Sequence, residues 1–181
     1  MAARRRPGSG RARPAKPVLG EKEARLVAAD LLSLKAWSTR ELVQRLGRRG
    51  APPEIARSVV ADLQSRGYLD DEAFARWWAQ VRAGSRRIGS ARLRQELAAK
   101  GIPRDLAAAA IGEAFDKAPE LDGAFEAGRR RLPALRRAAP ERVATRLASH
   151  LLRRGYPPSI VRTVVKRLIG ADLSEGDPEG V

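Results

Sequence analysis

The sequence predicts an all-α protein of three tandem three-helix, helix-turn-helix-like units in an elongated arrangement, and three observations carry that expectation. Apolar residues make up 43% of the chain and aromatic residues only 4%, with Ala, Leu and Arg dominant, a composition that favours helix over strand. A pattern Leu-x3-Leu-x3-Gly-x4-Ile/Leu-x3-Val/Ala occurs three times, around Gly50, Gly101 and Gly155, at intervals of 51 and 54 residues. Each of these glycines follows basic residues and precedes proline, which is how one helix stops and the next begins.

Taken in order, residues 1–20 mix Arg with Gly, Ala and Pro and lack an apolar period, so they are expected to be a disordered basic arm. The first unit spans 21–69. It opens with an amphipathic segment, 21–36, whose Ala24, Val27, Leu31 and Leu34 share one face. Ser38 and Glu41 then have capping-box spacing ahead of Leu42, Leu46 and Gly50, with Ile55 and Val59 in the following helix. The second unit spans 70–118. Asp70 caps a segment over 71–83 carrying Phe74, Trp77, Trp78 and Val81, and the repeat positions are Leu93, Leu97, Gly101, Leu106 and Ala110. The third unit, 119–170, opens over roughly 120–132 with Leu121, Phe125 and Leu132, followed by Leu147, Leu151, Gly155, Ile160 and Val164. Residues 171–181 are polar and acidic and are expected to be a frayed tail. Units of about 50 residues are marginal alone and need neighbours or a partner.

The chain has no cysteine, which excludes disulfides, thiolate metal sites and a cysteine nucleophile and fits a reducing cytoplasm. No stretch is apolar enough to span a bilayer, and the N-terminal arginines precede no apolar run, so neither a membrane location nor export is expected. The net charge is +15; residues 1–20 carry six basic groups and residues 171–181 four acidic ones, leaving +13 on residues 21–170. The folded part itself is therefore expected to attract a polyanion.

Little in the sequence suggests catalysis. His150 is the sole histidine and has no cysteine or second histidine to join it. Asp70 and Asp71 fall where a helix cap and its first turn belong, and there is no Gly-rich loop with a following Lys-Ser or Lys-Thr to hold a nucleotide. No cofactor and no metal are expected. The strongest positive signal is the run from Arg76 to Gln95, which has six arginines, two tryptophans and no acid. Guanidinium groups bind phosphate and carboxylate in bidentate fashion, so Arg76, Arg82, Arg86, Arg87, Arg92 and Arg94 are candidate contacts to nucleic acid or to an acidic protein surface. At least one of Trp77 and Trp78 belongs to the core, given their spacing from Phe74. Arg129, Arg130 and Arg131 form a second candidate cluster, although three consecutive helical residues cannot all face one way.

The segments Ser38–Leu42, Leu63–Ala75, Leu93–Ile102 and Leu152–Tyr156 together resemble the RecX family, over about 145 residues. The resemblance implies three tandem three-helix units forming a non-catalytic modulator that lies in the groove of a RecA filament on single-stranded DNA. It further implies lowered ATP turnover, strand exchange and co-protease activity of RecA, and contact with single-stranded DNA either directly or through the filament; apart from the resemblance, a monomer is expected. The Arg-rich arm and the acidic tail depart from the family pattern. The residues also admit a helix-turn-helix DNA-binding module without a RecA partner, or an RNA-binding protein resting on charge alone. Against groove reading, the third helices expected over 54–66 and 104–117 mix acids or alanines into the recognition face.

Overall fold

The computed structural model describes residues 18–138 and 140–175; residues 1–17 of the expected basic arm and 176–181 of the expected tail lie outside the described residues. Within them the chain forms nine α-helices and no strand: α1 (Glu21–Leu34), α2 (Thr39–Arg49), α3 (Pro53–Ser65), α4 (Asp71–Gly84), α5 (Ser90–Ala99), α6 (Arg104–Lys117), α7 (Glu120–Ala138), α8 (Val143–Arg153) and α9 (Pro158–Glu175). A single 3-10 turn, Pro140–Arg142, precedes α8.

The repeat motif sets the packing. Its six leucines, Leu42, Leu46, Leu93, Leu97, Leu147 and Leu151, are completely buried, as are Val59 and Val164, with Ala110 at 2% exposure. After each second leucine the helix stops in the same way. Gly50, Gly101 and Gly155 have φ of 108°, 82° and 85°, a left-handed conformation that glycine adopts without a Cβ penalty. The next backbone N–H (Ala51, Ile102, Tyr156) donates to the repeat leucine carbonyl at 3.0–3.3 Å, and the glycine N–H to the carbonyl after it at 2.9–3.0 Å. These are Schellman turns, and the residue that follows each glycine is buried as the accompanying apolar contact.

Three separate apolar cores follow, one from α1–α3, one from α4–α6 and one from α7–α9. In α4 the inward residues are Phe74, Ala75, Ala79 and Ala83. Trp77 and Val81 instead remain 46% and 42% exposed, because the close approach of α4 to α6 admits alanine where the larger side chains would not fit. Leu34 likewise ends α1 exposed, and α1 stops there rather than at 36. α7 continues through Pro133 to Ala138 instead of ending near 132: Leu132 and Leu135, on either side of the proline, are both buried in the third core, and that burial outweighs the lost backbone bond. At the other end of the unit α9 runs to Glu175, five residues into the segment expected to fray, since Ala-Asp-Leu-Ser-Glu contains no helix breaker and Gly176 is the first. Leu19, expected in the disordered arm, packs on the first core, and its N–H donates to the Gly50 carbonyl at 3.0 Å.

Successive units are joined by a device that is used twice. The residue before the repeat glycine offers its carbonyl to the N-cap position of the preceding unit's middle helix. Ser38 Oγ donates to the Lys100 carbonyl at 2.7 Å, and the Gly89 N–H to the Arg154 carbonyl at 2.9 Å. The first N–H of that middle helix then meets the acid that begins the next unit: Thr39 N–H donates to Asp71 Oδ1 at 2.8 Å, and Ser90 N–H to Glu120 Oε1 at 2.6 Å. Each acid thereby caps a helix other than its own.

Candidate functional site

At the first joint Lys100 is the centre. Its Nζ lies 2.7 Å from Glu41 Oε1 and 3.9 Å above the Trp78 ring, while its carbonyl receives Ser38. The capping box expected from Ser38 and Glu41 is only half made: Ser38 Oγ accepts the Glu41 N–H at 3.3 Å, but the Glu41 carboxylate turns outward to Lys100 instead of back to the Ser38 N–H. Beside this joint opens a cleft of about 450 Å³ bordered by Leu32, Lys35, Trp37, Tyr68, Phe74 and Trp77. Trp78 is the tryptophan that belongs to the fold, since its indole N–H donates to Glu96 Oε2 at 3.1 Å; Trp77 lines the cleft.

The arginines singled out by sequence fall into two groups. Arg82 Nε donates to Glu96 Oε2 at 2.8 Å, and its guanidinium stands 5.3 Å from the Trp78 ring centre, so it fastens α4 to α5. Burial raises the pKa of Glu96, but the hydrogen bond and charge of Arg82, with smaller contributions from Trp78 and Arg92, outweigh this and hold the carboxyl below its ordinary value. Arg92 also reaches Glu96, Arg76 pairs with Glu72 one turn back, and Arg129 and Arg130 share Glu126. By contrast, among the described residues no carboxylate lies within ion-pair distance of Arg86, Arg87, Arg94 or Arg131.

Arg86 and Arg87 lie in the α4–α5 loop, which the third unit holds by its backbone. Arg154 Nη1 donates to the Arg86 carbonyl at 2.6 Å and to the Arg87 carbonyl at 3.1 Å, and the Tyr156 hydroxyl to the Arg87 carbonyl at 2.7 Å. Arg87 has φ +49°, the one non-glycine residue with positive φ in the described chain. Tyr156 is buried, and its hydroxyl pKa is raised to above the range where phenols ionise in solution, mainly by desolvation and against the pull of Arg154. At this second joint the backbones touch: a Cβ at Gly89 would collide with the Gly155 carbonyl, and one at Gly155 with the Arg92 backbone.

Sequence reasoning missed two sets of residues. Asp71, Glu120 and Lys100 act across the joints, where no periodicity within a helix can point to them. The sequence offers Arg153 and Arg154 only as helix-ending cations, yet Arg154 also orders the neighbouring loop; the exposed face of α9 adds Arg162, Lys166 and Arg167. Among the described residues no cluster of three or more His, Asp or Glu side chains could hold a metal ion, and no helix is long and apolar enough to cross a membrane.

Fold and surface together define a tandem three-helix repeat protein with a basic, interlocked second joint. Comparison with known proteins places it more closely. Residues 70–111 match the family model described as RecX, second three-helix domain. The regulatory protein RecX of Amycolatopsis mediterranei is 33% identical over 145 residues, covering 80% of this chain and 82% of that one. That of Mycolicibacterium smegmatis is 33% identical over 153 residues, covering 82% and 81%. Among solved structures, RecX from Lactobacillus salivarius superposes with a TM-score of 0.69 at 16% identity, covering 82% of this chain and 96% of that one. A second regulatory protein RecX gives 0.73 at 19% identity, covering 80% and 72%. The chain belongs to the RecX family of regulatory proteins.

Proposed function

We propose that this protein binds the RecA filament on single-stranded DNA and restrains it, lowering ATP hydrolysis, strand exchange and co-protease activity as a regulator and not as an enzyme. The observation that carries this reading is the joint used twice. Equivalent contacts set unit 2 on unit 1 and unit 3 on unit 2, and a protein whose surface recurs in this way suits a ligand that also repeats, such as successive subunits of a helical filament. The +15 charge favours a filament wrapped on a polyanion, and the family membership supplies RecA as its protein. Such a molecule works in the cytoplasm, as a monomer that bridges filament subunits and obstructs the movements coupled to ATP hydrolysis and duplex entry.

Arg86, Arg87, Arg94 and Arg131 are the sequence-singled residues best placed to contact the filament, because no carboxylate among the described residues lies within ion-pair distance of them. The structure also makes a clean variant available. Third-unit contacts to the α4–α5 loop use the carbonyls of residues 86 and 87, so Arg86→Ala with Arg87→Ala removes two cations and leaves those bonds in place. Co-sedimentation with RecA filaments formed on single-stranded DNA is expected to show binding weakened at least several-fold for the double variant, with an unchanged helical circular-dichroism spectrum. Wild-type binding by the folded double variant would remove this loop from the contact. A helix-turn-helix DNA-binding role finds little support in α6, whose exposed residues set Arg104 and Lys117 at its two ends around Asp105, Ala108, Ala109, Gly112, Glu113 and Asp116.

A further inference from the structure

We propose that the cleft beside the first joint is a cation-selective aromatic site that receives an arginine or lysine side chain from a basic segment of a partner protein, with Lys35 as its resident competitor. The site lies apart from the arginines of the second joint and does not depend on the filament reading.

Four aromatic side chains line the cleft: Trp37 from the α1–α2 connection, Tyr68 from the α3–α4 turn, and Phe74 and Trp77 from α4. Trp37 is held in place by its indole N–H, which donates to the Leu31 carbonyl at 2.8 Å. Phe74 is buried, whereas Tyr68 and Trp77 keep 67% and 46% of their surface open. Large rings left exposed around a concavity are the mark of a contact surface.

The rings beside this joint already hold ammonium groups. Lys35 Nζ lies 3.7 Å from the centre of the Trp37 ring, and Lys100 Nζ stands 3.9 Å from that of Trp78 and 5.4 Å from that of Phe74. Lys100 is neutralised by Glu41, but among the described residues no carboxylate lies within ion-pair distance of Lys35, so a ring face is what seats it. Among the described residues no cation stands over Trp77 or Tyr68. Asp70 is the one carboxylate in the lining. Its Oδ1 accepts the N–H groups of Glu72 and Ala73 and caps α4, while its Oδ2 has no donor among the described residues. Open ring faces next to a half-used carboxylate suit a guanidinium or an ammonium.

Other occupants fit less well. An acidic side chain would meet Asp70 and the negative faces of the rings, and an apolar one would cover Asp70 and Lys35 while answering neither charge. The positive charge of the whole chain does not decide the matter, because physiological salt screens charges beyond about 8 Å. Close to the cleft, Arg66 and Arg76 are paired with Asp62 and Glu72, which leaves Lys35 against Asp70. Removing Lys35 therefore favours an incoming cation, the opposite of its effect at a site for acids or phosphate.

The test follows the indole N–H signals of the nitrogen-labelled full chain by NMR while acetyl-Gly-Ala-Arg-Ala-Gly-amide is added. Versions of the peptide with glutamine or glutamate in place of arginine, and thymidine, serve as controls. The Trp37 and Trp77 signals are expected to move and that of Trp78, whose indole is engaged by Glu96, to stay. The arginine peptide should bind about three- to ten-fold more tightly than the glutamine one. Asp70→Asn, which keeps a capping oxygen, should weaken it several-fold and Lys35→Met should strengthen it, both with an unchanged helical circular-dichroism spectrum. Equal binding of the arginine and glutamine peptides, a response to the glutamate peptide or thymidine instead, or weaker binding in Lys35→Met overturns the proposal. Indole signals that move with protein concentration alone would place a second copy in the cleft and overturn it too. So would signals that move on Arg4→Ala with Arg5→Ala and Arg6→Ala before any peptide is added, which would give the cleft to the chain's own N-terminal arginines.

Discussion

Glu96 shows how a single residue divides the arginines. Its carboxylate receives Arg82, Arg92 and the Trp78 indole from three directions while its side chain is only 13% exposed. A carboxyl whose pKa is lowered on folding stabilises the fold above its unfolded pKa, and this contribution is lost as pH falls through the folded value. Glu96→Gln is therefore expected to lower stability near neutral pH by about 1–3 kcal/mol, toward the low end because Arg82 keeps some solvent. The difference from wild type should narrow between about pH 6 and pH 3. Thermal melts followed by circular dichroism across that range check both points, and a constant difference would mean that the charge of Glu96 has no part. Fourteen residues separate Arg82 from Glu96, outside the i, i+3 and i, i+4 neighbourhood, which is why the sequence offers Arg82 as a free cation and the structure does not.

The helices and their turns were the most legible part of the sequence. Gly50, Gly101 and Gly155 marked the turns because a left-handed residue following two leucines has few alternatives, and all six leucines are buried as that pattern requires. Pro133 misled because local chemistry reads proline as a stop, whereas two buried leucines carry α7 past it. The joints were not legible at all: that a Cβ at Gly89 would strike the Gly155 carbonyl, and one at Gly155 the Arg92 backbone, follows from where two units meet and not from either turn alone. Gly67 supplies a control, since its φ is +76° and nothing stands near its missing Cβ. Gly67→Ala is expected to cost only the left-handed backbone, about 1–2 kcal/mol, whereas Gly155→Ala adds a collision with the Arg92 backbone and should cost clearly more. Chemical denaturation of the two variants tests this, and equal losses would show that the second joint yields without strain.

At the scale of the molecule, three small cores are laid in series by equivalent joints, and the N–H of Leu19 meets the first unit's glycine turn much as the Ala91 N–H of the preceding unit meets the third unit's. The candidate surface was half visible in advance. Composition pointed to the Arg-rich run around the α4–α5 loop, but only the folded chain separates arginines held by acids from those that are not, and brings Arg154 onto the carbonyls of that loop. The measurement that bears most directly on the central claim is the rate of RecA's single-stranded-DNA-dependent ATP hydrolysis as this protein is titrated in, at two salt concentrations and with free-DNA binding measured alongside. A fall in rate at protein levels too low to coat the DNA is the predicted result. A rate that holds constant, or that falls only as free DNA is sequestered, would contradict filament regulation and leave a general nucleic-acid-binding protein in its place.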